Sequence, residues 1–162
     1  EWIVKLMQSW GIPRGTLVLE VTENLLINNS PRVEEQLRNL NAEGIELSLD
    51  DFGTGYSSLT YLHQLPVKEV KIDQSFVKKL DHKNKLLIVK SIVDLGHNLG
   101  LRVVAEGVET QNHVDVLKNL GCERLQGYYF SKPKPTKEID LWLRSYHGTN
   151  SDSWLSKSNH IG

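Results

Sequence analysis

Apolar positions along the chain switch repeatedly between two periods. Ile3, Leu6, Met7 and Trp10 fall at helical spacing and stop before Gly11 and Pro13, which predicts a helix over Trp2 to Trp10. Leu17 to Val21 reads as a strand. Ser30-Pro31 offers an N-cap and an N1 proline to a helix carrying Val33, Leu37 and Leu40 on one face, with Gly44 as its stop. Ile45, Leu47 and Leu49 then alternate with Glu46, Ser48 and Asp50, the period of a strand. A short helix from Ser58 to Gln64 ends before Pro66, and a strand follows over Val67 to Ile72. Asn84 to Leu99 is the longest helical pattern, closed by Gly100. Strand Leu101 to Ala105 precedes a helix capped by Thr110 and closed by Gly121, with Val114, Leu117 and Leu120 inward. A last strand, Arg124 to Phe130, leads through Pro133 and Pro135 to a helix over Thr136 to Tyr146.

Strand and helix thus alternate, which argues for parallel strands joined by helical crossovers. Polar residues close or punctuate the five strands: Glu20, Asp50 with Asp51, Lys71, Glu106 and Gln126. Because side chains alternate between strand faces, Glu20 opposes Leu19 and Val21, Asp50 opposes Leu49, and Lys71 opposes Val70 and Ile72. If the apolar sets lie under the helices, Glu20, Asp50 and Lys71 share the other face, and Glu106 and Gln126 fit the same parity. Sites of α/β barrels and open sheets form beyond the C-terminal ends of the strands. Lys71 alone does not balance Glu20, Asp50, Asp51 and Glu106, so a cluster of this kind calls for divalent cations.

Composition narrows the class. The chain has 162 residues, 39% hydrophobic and 24% charged, with a net charge of −1. That is a globular composition with no field to gather DNA or RNA, so a nucleic-acid polymer is not an expected partner. No apolar stretch approaches a membrane span. The single cysteine, Cys122, excludes an internal disulfide, reads as packing and points to a cytoplasmic location. His63, His82, His97 and His113 lack metal-ligand spacing and read as surface or helix residues. The four tryptophans, Trp2, Trp10, Trp142 and Trp154, read as packing residues. The chain opens on Glu1 inside a helical pattern, as a piece of a longer protein would. Residues 1–147 are expected to form the folded domain and 148–162, rich in Ser and Asn, a mobile tail.

The sharpest local motif is Asp50-Asp51-Phe52-Gly53-Thr54-Gly55-Tyr56-Ser57-Ser58-Leu59. It echoes the Asp-Phe-Gly metal motif of protein kinases, yet no catalytic loop or glycine-rich phosphate loop accompanies it. With Leu19-Glu20-Val21-Thr22-Glu23, Val70-Lys71-Ile72-Asp73-Gln74-Ser75-Phe76-Val77, Val104-Ala105-Glu106-Gly107-Val108-Glu109-Thr110 and Gln126-Gly127-Tyr128-Tyr129-Phe130-Ser131-Lys132-Pro133, it resembles the EAL family of bacterial cyclic-di-GMP phosphodiesterases.

The resemblance implies a partial TIM-type (β/α) barrel of about five βα units, the C-terminal portion of the domain without its N-terminal strands. Those strands would carry the Glu-x-Leu motif that names the family and an asparagine ligand. It implies hydrolysis of cyclic di-GMP to the linear dinucleotide pGpG with two Mg²⁺ or Mn²⁺ ions and inhibition by Ca²⁺. Glu20, Asp50, Asp51 and Glu106 would hold metal, Lys71 would orient or help deprotonate the attacking water, and Gln126 would support the site. Glu23, Phe52, Gly53, Thr54 and Gly55 would couple a homodimer contact to catalysis, and Phe130 and Pro133 would line the base pocket. Sensory or diguanylate-cyclase-like domains upstream would be partners within the parent chain. The alternatives are a non-catalytic cyclic-di-GMP receptor and a dimerisation module.

Overall fold

In the computed structural model, which describes residues 2–22, 31–53 and 65–149, five strands form one parallel sheet. They are β1 (Val18–Thr22), β2 (Glu46–Phe52), β3 (Glu69–Ile72), β4 (Arg102–Ala105) and β5 (Arg124–Leu125), hydrogen-bonded in chain order. The order separates two architectures. A doubly wound sheet reverses direction at a switch point, whereas a βα barrel adds each strand beside the last. With right-handed crossovers, a sheet growing in one direction receives its helices on one face. The sheet is therefore a segment of a TIM-type barrel.

The helices of the same unit, residues 1–130, are α1 (Trp2–Ser9), α2 (Pro31–Ala42), α3 (Gln74–Val77), α4 (Lys83–Asn98) and α5 (Gln111–Leu120). Several ends carry the predicted signals. Pro31 opens α2, Thr110 Oγ1 accepts from His113 N at 3.2 Å at the start of α5, and Gly121 closes α5 in the left-handed region. Residues 131–162 form a second unit, whose described part holds α6 (Thr136–Thr149) with a Lys134–Glu138 ion pair at 3.9 Å.

Register fixes which side chains share a face. Leu19 pairs with Leu47, Val21 with Leu49, Leu49 with Val70 and Val70 with Val103, so the apolar positions form continuous rows. These rows meet the helices. Gly96 of α4 comes so close that an added Cβ would stand 2.5 Å from Val103 and 3.4 Å from Val70. Leu47, Leu49, Val70, Val89, Val93, Val103 and Leu117, each at most 1% exposed, form the centre of this core. The opposite face carries Glu20, Ser48, Glu69 and Arg102 in one row and Lys71, Val104 and Arg124 in the next.

Four expectations are corrected. The second strand does not end at Leu49 but runs on to Phe52 through a bulge: Leu49 pairs with Val70 and Phe52 with Ile72, so β2 carries one residue more than β3 over that stretch. Asp51 takes the extra place at φ 57°, which returns Phe52 to the core at 5% exposure. The fifth strand stops at Leu125, because Gly127 crosses directly over Val108 and bends the chain away. A Cβ on Gly127 would lie 2.2 Å from the Val108 carbonyl oxygen, so only glycine fits that crossing. A short α3, absent from the sequence pattern, follows β3 because Asp73 Oδ1 accepts from Ser75 N at 3.0 Å. Finally, α1 buries Met7 and leaves Trp2 and Trp10 74% and 78% exposed: the helix has more apolar residues than one face holds, and the stripe through Ile3, Val4 and Met7 takes the core side. The predicted helix 58–64 and residues 150–162 lie outside the described residues, as does Trp154.

Candidate active site

Alternation on short strands brings the predicted polar residues together. Lys71, 4% exposed, projects from β3 away from the helices and meets three carboxylates from three other strands. Its Nζ lies 2.5 Å from Glu20 Oε1 at β1, 2.6 Å from Glu106 Oε1 just after β4, and 3.5 Å from Asp50 Oδ1 on β2. Burial alone would lower the lysine's pKa. The hydrogen bonds to Glu106 and Glu20, with the Glu106 and Asp50 charges, outweigh it and hold the ammonium above its ordinary value.

Asp51 stands on the exposed side of the bulge. Partial desolvation, then the neighbouring charges of Asp50 and Asp73, push its carboxyl up, against the pull of Lys71. Gln126 is placed by its backbone: its N donates to Ala105 O at 2.9 Å and its carbonyl accepts from Val108 N at 3.0 Å. It lines a cavity of about 230 Å³ beside Glu106, with Gln74, Lys78, Glu109 and Tyr128 around it. A Lys78–Glu109 ion pair at 3.1 Å forms part of that wall.

The remaining candidates separate. Phe52 is a core residue, and Gly53 at φ 93° faces Ile92 and Phe76. Phe130 is partly exposed and packs edge-on against Tyr129 with ring centroids 5.2 Å apart. Pro133 belongs to the second unit, while Glu23, Thr54, Gly55 and His63 lie outside the described residues. Cys122 is buried, and burial followed by the charge of Glu123 pushes its thiol up to about 12, which suits packing. His97 pairs with Glu123 at 2.9 Å and His113 Nδ1 accepts from Glu109 N at 3.3 Å, both away from the carboxylates around Lys71.

Sequence reasoning missed a second charged layer on the same face. Glu69, 5% exposed, accepts from Ser48 Oγ at 3.1 Å and from Arg124 Nη1 at 2.9 Å, and Arg102 Nε lies 3.5 Å away. Arg102 also donates to Glu46 from Nη2, a bond that, followed by opposing desolvation, leaves its pKa raised. The signal was present: Arg102 and Arg124 open β4 and β5 on the parity of Glu69 and Lys71.

Whether the upper cluster suits a divalent cation can be read from its donors. Among the described residues, no three His, Cys, Asp or Glu side chains are grouped closely enough to hold a metal ion by themselves. Three carboxylates nonetheless meet one lysine, with Asp51 beside them, and Asp50 Oδ1 is buried without a hydrogen-bond partner among the described residues. A buried carboxylate oxygen with an ion-pair contact but no hydrogen bond, amid other hard oxygen donors, fits a hard divalent cation of the kind that uses few carboxylates and fills the remaining positions with water or substrate.

Known proteins with this arrangement were compared. The EAL domain family matches residues 1–133. The oxygen sensor protein DosP of Escherichia coli is 42% identical over 140 residues, 86% of this chain and 18% of DosP. The cyclic di-GMP phosphodiesterase NbdA of Pseudomonas aeruginosa is 40% identical over 141 residues, 86% of this chain and 18% of NbdA. Among solved structures, the MucR phosphodiesterase in complex with c-di-GMP is 41% identical with a TM-score of 0.79, over 83% of this chain and 55% of that one. The EAL domain of Mycobacterium smegmatis DcpA gives 39% and 0.82, over 88% and 65%. Klebsiella pneumoniae BlrP1, solved with manganese and with calcium alongside cyclic di-GMP, gives 34% and 0.75, over 82% and 34%. This chain therefore spans under a fifth of DosP and of NbdA and about two thirds or less of the compared structures. With its matched residues, its strand order and its Glu20, Asp50, Lys71, Glu106 cluster, the chain belongs to the EAL domain family.

Proposed function

We propose that the protein containing this chain hydrolyses one phosphodiester bond of cyclic di-GMP to give linear pGpG, using two Mg²⁺ or Mn²⁺ ions. The observation that carries this reading is the convergence of Glu20, Asp50 and Glu106 on buried Lys71, with Asp50 Oδ1 buried and making no hydrogen bond among the described residues. The phosphodiesterase names of NbdA and the MucR structure, and the manganese in BlrP1, support it.

Glu20, Asp50, Asp51 and Glu106 would hold the ions. When bound, a divalent pair acidifies a water and neutralises charge developing on the phosphate. The chain's own contribution is placement. Lys71 presents a fixed ammonium on the floor of the site, where its N–H donors orient the attacking water or a phosphate oxygen. Gln126, tied to Ala105 and Val108, offers an amide beside Glu106. The bulge at Asp51 turns two successive aspartates away from the core, where simple alternation would bury one.

Several finer features belong to the same proposal. Ca²⁺ replaces the working ions and inhibits. Glu23, Phe52, Gly53, Thr54 and Gly55 couple a homodimer contact to the site, and Phe130 lines the base pocket. The protein works in the cytoplasm alongside sensory or diguanylate-cyclase-like domains in the parent chain.

The test is a chromatographic assay of the full-length parent with cyclic di-GMP and Mg²⁺, against its Asp50→Ala variant. Loss of a metal ligand is expected to cut the rate at least about a hundredfold. An unchanged rate in Asp50→Ala sinks the assignment. Saturable nucleotide binding by the wild type without product would make it a receptor.

A further inference from the structure

We infer that Arg124 is a positioning residue for Lys71: by engaging Glu69 it leaves the Lys71 ammonium to the carboxylates of the site. The inference rests on the phosphodiesterase reading above but concerns residues outside its catalytic set.

Glu69 and Lys71 project from the same face of β3, two residues apart, and are 5% and 4% exposed. Two residues of strand span about 6.6 Å, within the length of a lysine side chain. A buried carboxylate and a buried ammonium so placed are the default ion pair, since each is costly without an opposite charge. They do not pair. Lys71 Nζ goes to Glu20, Glu106 and Asp50, and Glu69 is occupied elsewhere.

What occupies Glu69 is specific. Oε1 accepts from Ser48 Oγ, and Oε2 accepts from Arg124 Nη1 at 2.9 Å. Arg102 Nε also forms an ion pair with Oε2, at the longer distance of 3.5 Å, while its Nη2 is committed to Glu46. Of the two guanidinium contacts to Oε2 among the described residues, that of Arg124 is the shorter. Register explains the geometry. Lys71, Val104 and Arg124 are Cα partners across three neighbouring strands, so two cations share one row with a valine between them. Glu69 lies in the row below, opposite Arg102. Arg124 takes Glu69 from the β5 side, and Lys71 is left to the carboxylates at the strand ends.

Without the Arg124 guanidinium, Glu69 Oε2 keeps only the longer ion pair to Arg102, and the nearest mobile cation on its own strand is Lys71. The ammonium is drawn one layer down. Glu20, Asp50 and Glu106 lose their shared counter-charge, while the group that orients water or phosphate leaves its place.

The test uses the full-length parent protein and its Arg124→Met, Arg124→Lys, Glu69→Gln and Arg124→Met/Glu69→Gln variants. It measures kcat and KM for cyclic di-GMP and, without nucleotide, Mn²⁺ affinity by electron paramagnetic resonance. Arg124→Met is expected to lower kcat about tenfold with KM within about twofold. The same variant is expected to bind Mn²⁺ about threefold more tightly, because the carboxylates have lost the ammonium. Arg124→Lys and the double variant are expected to keep kcat within about threefold of wild type, one by restoring the charge and the other by removing the rival anion. A general loosening of the fold would weaken Mn²⁺ binding and turnover together. That result, an unchanged kcat in Arg124→Met, or a double variant as slow as the single one, overturns the inference. If Arg124→Met does not fold, Glu69→Gln decides, since a tenfold loss there contradicts a Glu69 whose charge is only a rival to be silenced. If the wild type itself yields no pGpG, the phosphodiesterase reading fails, and the Mn²⁺ comparison still reports where Lys71 sits.

Discussion

Asp51 takes a backbone conformation and a charge environment that both cost the fold. It is the one non-glycine among the described residues at positive φ, and it stands where Asp50, Glu20 and Asp73 add negative charge. A left-handed L-residue costs about 1–2 kcal/mol, less for aspartate, whose short side chain bonds locally. Both costs persist because the bulge is what turns Asp50 and Asp51 together toward the cluster. Asparagine tolerates the same backbone without the charge. Asp51→Asn is therefore expected to raise the stability of the cation-free protein by about 0.5 kcal/mol, the scale of a surface charge interaction. Turnover by the parent is expected to fall at least about tenfold if Asp51 holds metal as proposed. Thermal unfolding in a chelator and the chromatographic assay read the two effects separately. A variant both less stable and fully active would mean that Asp51 is a structural turn residue and not a ligand.

At the scale of elements, the contact that carries the sheet's geometry to the site is α4 against β3 and β4. Gly96 lets the helix backbone approach until Val103 and Val70 fill the space a side chain would take. Val103 is fully buried and has nowhere to retreat. Gly96→Ala is expected to destabilise by about 1–3 kcal/mol, the cost of overpacking, despite alanine's better helix propensity. Urea unfolding checks it, and a neutral or stabilising result would show that α4 is loosely docked. This contact was hidden in the sequence, where Gly96 reads as a weak point in an otherwise regular helix. What was legible there was whatever a local period or a local cap encodes. Leu47 and Leu49 against Ser48 and Asp50 gave both strand and face, and Thr110 and Gly121 bounded α5. The parity that set Glu20, Asp50 and Lys71 apart from the apolar rows held, because register keeps parity across parallel strands. What failed depended on residues distant in sequence. Val108 ends β5 through Gly127, the bulge at Asp51 is forced by β3, and Arg102 and Arg124 acquire meaning only opposite Glu69. Trp2 and Trp10 were misplaced because periodicity shows that a helix has an apolar face but not which of two stripes meets the sheet.

At the scale of the whole molecule, β1 and β5 are the outer strands of the described sheet, each with a single neighbour. Outer strands present unpaired N–H and C=O groups, and neither proline nor a run of lysines blunts β1. Along α1 and the turn that follows it, Trp2, Leu6 and Trp10 are 74%, 40% and 78% exposed. Unmasked backbone and exposed tryptophan both favour association. The 162-residue chain by itself is therefore expected to show an apparent mass that rises with concentration in light scattering, and Trp2→Glu with Trp10→Glu is expected to reduce the rise. A monomer at every concentration would refute this. The consequence for function follows from where the acids sit. Glu20, one of the two closest partners of Lys71, lies on β1, and its side chain is 51% exposed, whereas Glu106 is 19% exposed. Whatever pairs with the outer edge of β1 also settles the position of Glu20. Hydrolysis by the chain alone is accordingly expected to be weak or absent, and to rise when the rest of the parent's EAL domain is supplied in trans. Equal rates with and without that complement would mean that Lys71 and its carboxylates are already fully organised within these five strands.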